Sequence, residues 1–146
     1  MSGRPFTADV TFPVAAEAAF RYLVDPRNRP EWQSSLRSVD VPADEEPHLG
    51  QAWRETTAVG VRPHMETTAF APYRLWTERG TWRGVTATLT LQFTDTSAGS
   101  RVHAEGDVAG SGPWALVSAA AGLLASAAIA ADLRKAARIL AERQPG

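Results

Sequence analysis

Apolar and polar residues alternate with a period of two through most of this chain, and the period lengthens toward that of a helix in two regions. Phe6 to Phe12 alternates and reads as a strand ended by Pro13. From Ala15 to Val24 the apolar positions Ala16, Ala19, Phe20 and Leu23 share one helical face. Asp25-Pro26 opens a second short helical turn over Arg27 to Trp32, which Pro30 is expected to break. Leu36 to Val41 reads as a strand and Pro42 to Gly50 as a polar loop. A meander follows, with strands at 51–59, 63–71, 74–82, 85–93 and 101–109. Gly60 with Pro63, Pro72-Tyr73, Arg83-Gly84 and the Ser- and Gly-rich stretch Thr94 to Ser100 separate these strands. Gly110, Gly112 and Pro113 lead into a long helix from Trp114 to about Arg143, with Pro113 suited to a helix start.

Short turns fix which residues lie opposite one another. A two-residue turn at Pro72-Tyr73 sets Ala69 opposite Trp76, Thr67 opposite Glu78, and Glu66 beside Arg79 on the outer face. A two-residue turn at Arg83-Gly84 sets Trp76 against Leu91 and Glu78 against Leu89. Phe93 opposite Val102 then turns Ala104, Gly106 and Val108 inward. A three-residue loop at Gly60–Arg62 puts Glu55 opposite Thr67 and Trp53 opposite Ala69. Two inward rows result: Trp53, Ala69, Trp76, Leu91, Ala104, and Glu55, Thr67, Glu78, Leu89, Gly106. A slip of one residue in any hairpin would invert its face.

The 146 residues fit a single domain over 1–146. With 44% hydrophobic and 21% charged residues the composition is that of a globular protein. Net charge is -1 and no basic block stands out, so no nucleic-acid partner is expected. The chain has no cysteine, which excludes disulfides and thiolate chemistry and fits a reducing compartment; a cytoplasmic location is expected. Met1 to Thr11 lacks the apolar run of a signal peptide. Trp114 to Ala131 is free of charge, but it is mostly alanine and has no Lys or Arg at its start, so a buried helix is expected rather than a membrane span. A homodimer stays open.

Several local motifs are similar to those of the polyketide cyclase/START-related superfamily, also known as SRPBCC, the helix-grip fold of the birch-pollen allergens. They are the opening strand ending in Phe12-Pro13, the run Ala18-Ala19-Phe20-Arg21-Tyr22-Leu23-Val24-Asp25-Pro26, and Asn28, Pro30, Glu31 and Trp32, close to a D-x-x-x-x-P-x-W element. The hairpin Phe70-Ala71-Pro72-Tyr73-Arg74-Leu75 and the Ala-rich last helix also match. The resemblance spans nearly the whole chain. It implies an α+β helix-grip fold: a curved antiparallel sheet wrapped around a long C-terminal helix, with two short helices after the first strand. It further implies an internal cavity for a hydrophobic small molecule. Members include polyketide aromatase/cyclases, lipid-transfer proteins and hormone receptors, so the fold alone does not set the activity.

Glu55 and Glu78 are the candidate acid–base residues. A carboxyl in a low-dielectric cavity has a raised pKa and can exchange protons near neutrality. On the expected register the two stand about 10 Å apart, two strand spacings, with Glu55 nearer water and no inward Lys or Arg beside them. Trp53 and Trp76 are expected to line the cavity, with Thr67, Leu89 and Leu91 beside them and Trp32 and Trp114 near its mouth. Tryptophan also serves as ordinary core, and the alanines at 119–121, 127, 128, 130 and 131 equally suit tight packing or room for a ligand. His48, His64 and His103 are too scattered for a zinc site, and no glycine-rich phosphate cradle occurs, so no metal and no cofactor is expected. The leading expectation is a cofactor-independent, cyclase- or dehydratase-like enzyme that folds its substrate and moves protons through Glu78 or Glu55. The alternative is a non-catalytic carrier of a lipid or aromatic metabolite.

Overall fold

Alternation along the first residues folds as β1 (Arg4–Phe12), which pairs with the last strand rather than with the next one. The structure is a computed structural model that describes residues 4–143, with the backbone alone at residue 4 and at 116–124. After β1 come α1 (Ala16–Leu23), a 3-10 turn (Pro26–Asn28), α2 (Arg29–Trp32) and β2 (Leu36–Asp40). The meander is β3 (Ala52–Thr57), β4 (His64–Ala71), β5 (Leu75–Trp82), β6 (Val85–Thr96) and β7 (Gly99–Gly110). A 3-10 turn (Gly112–Trp114) leads into α3 (Ala115–Arg143). All seven strands form one curved antiparallel sheet in the order β1-β7-β6-β5-β4-β3-β2. This is the α+β helix-grip arrangement, with α3 lying mainly over β1 and β7.

Each helix has a sequence reason. Ala16, Ala19, Phe20 and Leu23 of α1 are buried on one face as their spacing requires. Ala15 brings no capping side chain, and Asp95 at the end of β6 supplies the cap by accepting from Ala16 N at 2.8 Å. Pro30 does not break the second helical turn. It stands in the first turn of α2, where no N–H is needed. In α3, Leu133 and Ala136 are fully enclosed and Ala137 and Leu140 half-buried. Ala127, Ala128 and Ala131 face solvent, and the alanines at 119–121 lie outside the described side chains. Among the described residues no helix is long and apolar enough to cross a membrane.

The register agrees with the sequence for β5–β6 and β6–β7: Trp76 faces Leu91, Glu78 faces Leu89, Leu89 faces Gly106 and Phe93 faces Val102. Two hairpins differ. The β4–β5 connection has three residues, with Tyr73 at φ 69, and Phe70, not Ala69, faces Trp76. An extra residue at Thr68 then bulges out of β4, and the two one-residue offsets cancel. Thr67 therefore still faces Glu78, and Glu66 still meets Arg79 on the outer face at 3.3 Å. In the β3–β4 hairpin Trp53 faces Met65, and Thr67 N donates to Gln51 O, so the pairing sits four residues from the expected one. An even slip moves neighbours but leaves the inward face unchanged. The inward rows are Gln51, Thr67, Glu78, Leu89, Gly106; Trp53, Met65, Gly80, Ala87, Val108; and Phe70, Trp76, Leu91, Ala104, the last keeping the expected Trp76, Leu91 and Ala104.

Gly106 is required by close approach. A Cβ there would lie 2.1 Å from Thr88 O and 2.9 Å from the Phe6 ring. The oxygen belongs to the neighbouring strand's backbone and cannot swing aside. Gly106→Ala should therefore cost about 1–3 kcal/mol, the range for overpacking a tight site. A urea midpoint unchanged in that variant would show that the sheet gives way there.

Candidate functional site

Two carboxylates from different strands meet one guanidinium at the centre of the concave face. Glu55 of β3 and Glu78 of β5 both point inward, at 2% and 5% exposure. Arg29, the first residue of α2, reaches between them and is 2% exposed. Its Nε lies 2.9 Å from Glu55 Oε2 and its Nη1 2.9 Å from Glu78 Oε2. Nη2 donates to Glu78 Oε1 at 3.0 Å. The first two contacts are close without being aligned as hydrogen bonds, so charge attraction dominates them.

Three indole rings enclose this centre. The ring centres of Trp32, Trp53 and Trp76 lie 5.7, 6.0 and 5.9 Å from Arg29 Cζ, within cation–π range. Trp53 Nε1 donates to Glu55 Oε2 at 3.0 Å, and Trp76 Nε1 donates to Thr67 Oγ1 at 3.3 Å. Trp32 Nε1 is buried and has no hydrogen-bond partner among the described residues. The short turns before Gln33 position these groups: Pro26, Arg29 and Trp32 recur every third residue and are all buried. The C-terminal end of this segment is tied to α3 at two points. Ser34 N and Oγ donate to Asp132 Oδ1 at 3.3 and 2.9 Å. Glu31 Oε1 accepts from Tyr22 Oη at 2.8 Å and from Arg143 Nη2 at 3.1 Å.

Burial pushes the Glu78 carboxyl up to about 7; Arg29 pulls the other way and the charge of Glu55 adds to the rise. For Arg29 burial works hardest against the charge, but Glu55 and Glu78, with Asp132, more than reverse it, so its pKa stands above its ordinary value. The site thus corrects three sequence expectations. A buried cation does oppose the two carboxylates, bridging strands that stand two spacings apart with β4 between them. Glu55 sees no more water than Glu78. Trp32, fully enclosed, lies at the ionic centre and not at a mouth.

The remaining candidates divide in two. Leu91 is enclosed by protein, and Leu89 is buried beside Glu78. Trp114 lies at the far end of the sheet, its ring edge-on to Trp82 at 5.3 Å. Between that pair and the ionic centre the described inward side chains Trp82, Val85, Ala87 and Val108 are apolar and only half-buried. A separate cleft of about 360 Å³, not foreseen from the sequence, opens beside α1 between Phe20, Phe70, Tyr73, Val24, Asp25 and Glu46. It touches none of the candidate residues. Among the described residues no three His, Asp or Glu stand close enough to hold a metal ion.

Sequence reasoning missed Arg29. Its signal was present in two inward carboxylates with no counter-charge, together with an arginine three residues before a buried tryptophan.

Comparison with known proteins agrees with the architecture. Protein MLL2253 from Mesorhizobium loti superposes with a TM-score of 0.77 at 18% identity, over 97% of this chain and 100% of that one. DynU16, from the dynemicin biosynthetic locus, gives 0.71 at 14% identity, over 97% of this chain and 49% of its own. A Rhodobacter sphaeroides protein gives 0.72 at 17% identity, over 97% and 94%. At these identities the likeness is one of fold. No curated protein matches the chain in sequence. Residues 4–144 match the family described as "Polyketide cyclase / dehydrase and lipid transport", and with nearly the whole sequence inside that match the chain belongs to this family.

Proposed function

We propose that this protein binds a hydrophobic small molecule, a lipid or an aromatic metabolite, between α3 and the half-buried apolar end of the concave face. The observation that carries this reading is the pairing of Arg29 with both inward carboxylates inside a closed tryptophan wall. The two groups best suited to proton transfer are held by the protein itself. The open stretch beside them, Trp82, Val85, Ala87 and Val108, offers apolar contact and no titratable group. Burial of apolar surface suffices to hold a hydrophobic ligand. Met65 and Leu89 form its inner border, Trp114 its outer one, and Trp53, Trp76 and Thr67 support that border from behind.

A titration of an apolar polycyclic probe tests this. The wild type should bind it with quenching of tryptophan fluorescence. Ala87→Phe, which fills the apolar stretch, should weaken binding at least tenfold, equivalent to about 1.4 kcal/mol. Equal affinity in the two proteins would remove the site from this end. A mass spectrum of whatever co-purifies then identifies the natural ligand.

One observation favours a second reading, cyclase- or dehydratase-like catalysis. A Glu78 carboxyl titrating at about 7 is well matched to enolisation or loss of water at neutral pH, with Glu55 and Arg29 tuning it. In that case Glu78→Gln abolishes turnover of the identified ligand and leaves its affinity within a few-fold. Turnover retained in that variant removes Glu78 as proton carrier.

A further inference from the structure

The topology gives the molecule two ends of different charge, one basic and one mixed. Strands β3, β5 and β7 run the same way and finish at one end, where residues 58–63, 83–84 and 111–114 connect onward. These connections are neighbours. His64 pairs with Thr81, Ser111 N donates to Gly84 O at 3.0 Å, and Trp82 packs on Trp114. No Asp or Glu occurs in 56–63, 79–87 or 108–115, and Asp40 lies cross-strand from Arg54 at the margin of this end. Four exposed arginines gather here. Arg62 and Arg83 lie in the loops themselves, while Arg37 Nη2 donates to Ala58 O at 3.1 Å and Arg54 Nη1 to Arg62 O at 3.3 Å. The opposite end is mixed, exposing Glu17, Asp44, Glu46 and Asp95 together with Arg21 and Arg74. The whole chain nets only -1, so this separation comes from arrangement and not from composition.

Apolar groups stand among the four cations. Val59 is 87% exposed at the tip of its loop. The loop is held open under it: Gly60 N donates to Thr57 O and Val61 N to Thr57 Oγ1, each at 3.0 Å. At the same end of the sheet Trp82 and Trp114 are half-buried and Pro113 is exposed. We propose that this end docks on an anionic lipid bilayer, with Val59 and the edges of Trp82 and Trp114 entering the interface and Arg37, Arg54, Arg62 and Arg83 meeting the headgroups. An apolar tip among like charges suits a uniformly anionic plane that is apolar beneath its surface. A protein epitope of mixed charge would need acids here as well. Tryptophan rings settle at such boundaries, and arginine stems lie along apolar surface while their heads stay with the phosphates. The surface adjoins the apolar end of the concave face and shares Trp82 and Trp114 with it, so vesicle binding and probe binding are read separately.

Co-sedimentation with vesicles tests the proposal. Vesicles of phosphatidylcholine alone should leave the protein in solution, and vesicles of one-third phosphatidylserine should pellet it, less so as salt is raised. Each basic residue near the surface contributes roughly a fivefold factor. Arg62→Glu with Arg83→Glu should therefore weaken binding at least about 25-fold. Val59→Asp should weaken it also, by removing the apolar insertion. All three side chains are exposed, so melting temperature should stay at the wild-type value; Arg83 lies over the Trp82 ring at 5.0 Å, so apolar-probe affinity is compared in Val59→Asp and in Arg62→Glu alone, where it should be unchanged. Wild-type protein that ignores anionic vesicles, sediments equally with both kinds, or binds no better than these variants would overturn the proposal. A concentration-dependent dimer dissolved by the double variant, with vesicles left unbound, would overturn it in favour of a second copy of the chain.

Discussion

Arg29→Met is expected to cost about 3–5 kcal/mol of folding stability, the penalty for removing one partner of a buried ion pair. The substitution keeps most of the side-chain volume and removes the charge, leaving Glu55 and Glu78 facing each other at 2% and 5% exposure. Neither carboxylate can turn to solvent through the wall of Trp32, Trp53 and Trp76. A cost of this size is a large fraction of a typical domain's stability. Urea denaturation should show the midpoint falling with little change in slope. The loss should shrink when Glu55→Gln and Glu78→Gln are added, because the arginine's main role in the fold is to neutralise them. Glu66→Gln, which breaks the exposed pair with Arg79, should cost less than about 1 kcal/mol and serves as the control. An Arg29→Met loss no larger than that control would mean that water reaches the ionic centre.

The contrast between these two ion pairs shows what the sequence could disclose. They rest on the β3–β4 and β4–β5 hairpin registers, which were readable because errors in them cancel or preserve parity. The three-residue turn around Tyr73 and the bulge at Thr68 offset each other, and the β3–β4 slip is even. The inward faces of Glu55, Glu78, Trp53 and Trp76 were therefore legible, although the neighbours of Trp53 were not. Turn chemistry sets length only loosely, and nothing in the Pro72-Tyr73 pair announces that Arg74 joins the turn. Arg29 was harder to read for a different reason. A four-residue helix has too few positions to display a period, and a charged residue is assigned to solvent unless a partner is known. Its partners lie 26 and 49 residues away on other elements, and only the closed sheet brings them together. The basic, apolar end was hidden in the same way, since Arg37, Arg54, Arg62 and Arg83 form no run in the chain.

Between pH 5 and pH 8 the protein should lose stability as pH rises, and Glu78 should be the cause. Its folded-state pKa is about 7 against an ordinary 4.5. Below the lower value the carboxyl is protonated in both states and contributes no slope. Between the two values the folded form holds the proton and the unfolded form has released it, so raising the pH favours unfolding. Above the upper value both forms are ionised and the loss is complete. At about 1.4 kcal/mol for each pH unit of difference, the fall is on the order of 3 kcal/mol. Groups with lowered pKa, such as Glu31 held by Tyr22 and Arg143, act below this window and in the opposite sense. Tyr22 itself, pushed up by burial and by Glu31, titrates above it. Urea midpoints measured through the window should therefore decline in the wild type and run nearly flat in Glu78→Gln, with the variant the more stable protein at pH 8. A decline of the same size in that variant would assign the titration to another group. The same experiment bears on chemistry, because a carboxyl that gives up its proton near neutrality inside an ion pair with Arg29 can lend that proton to a bound molecule. If the wild-type profile is flat, Glu78 is ionised throughout, Arg29 has won over burial, and the binding reading stands without a proton donor beside it.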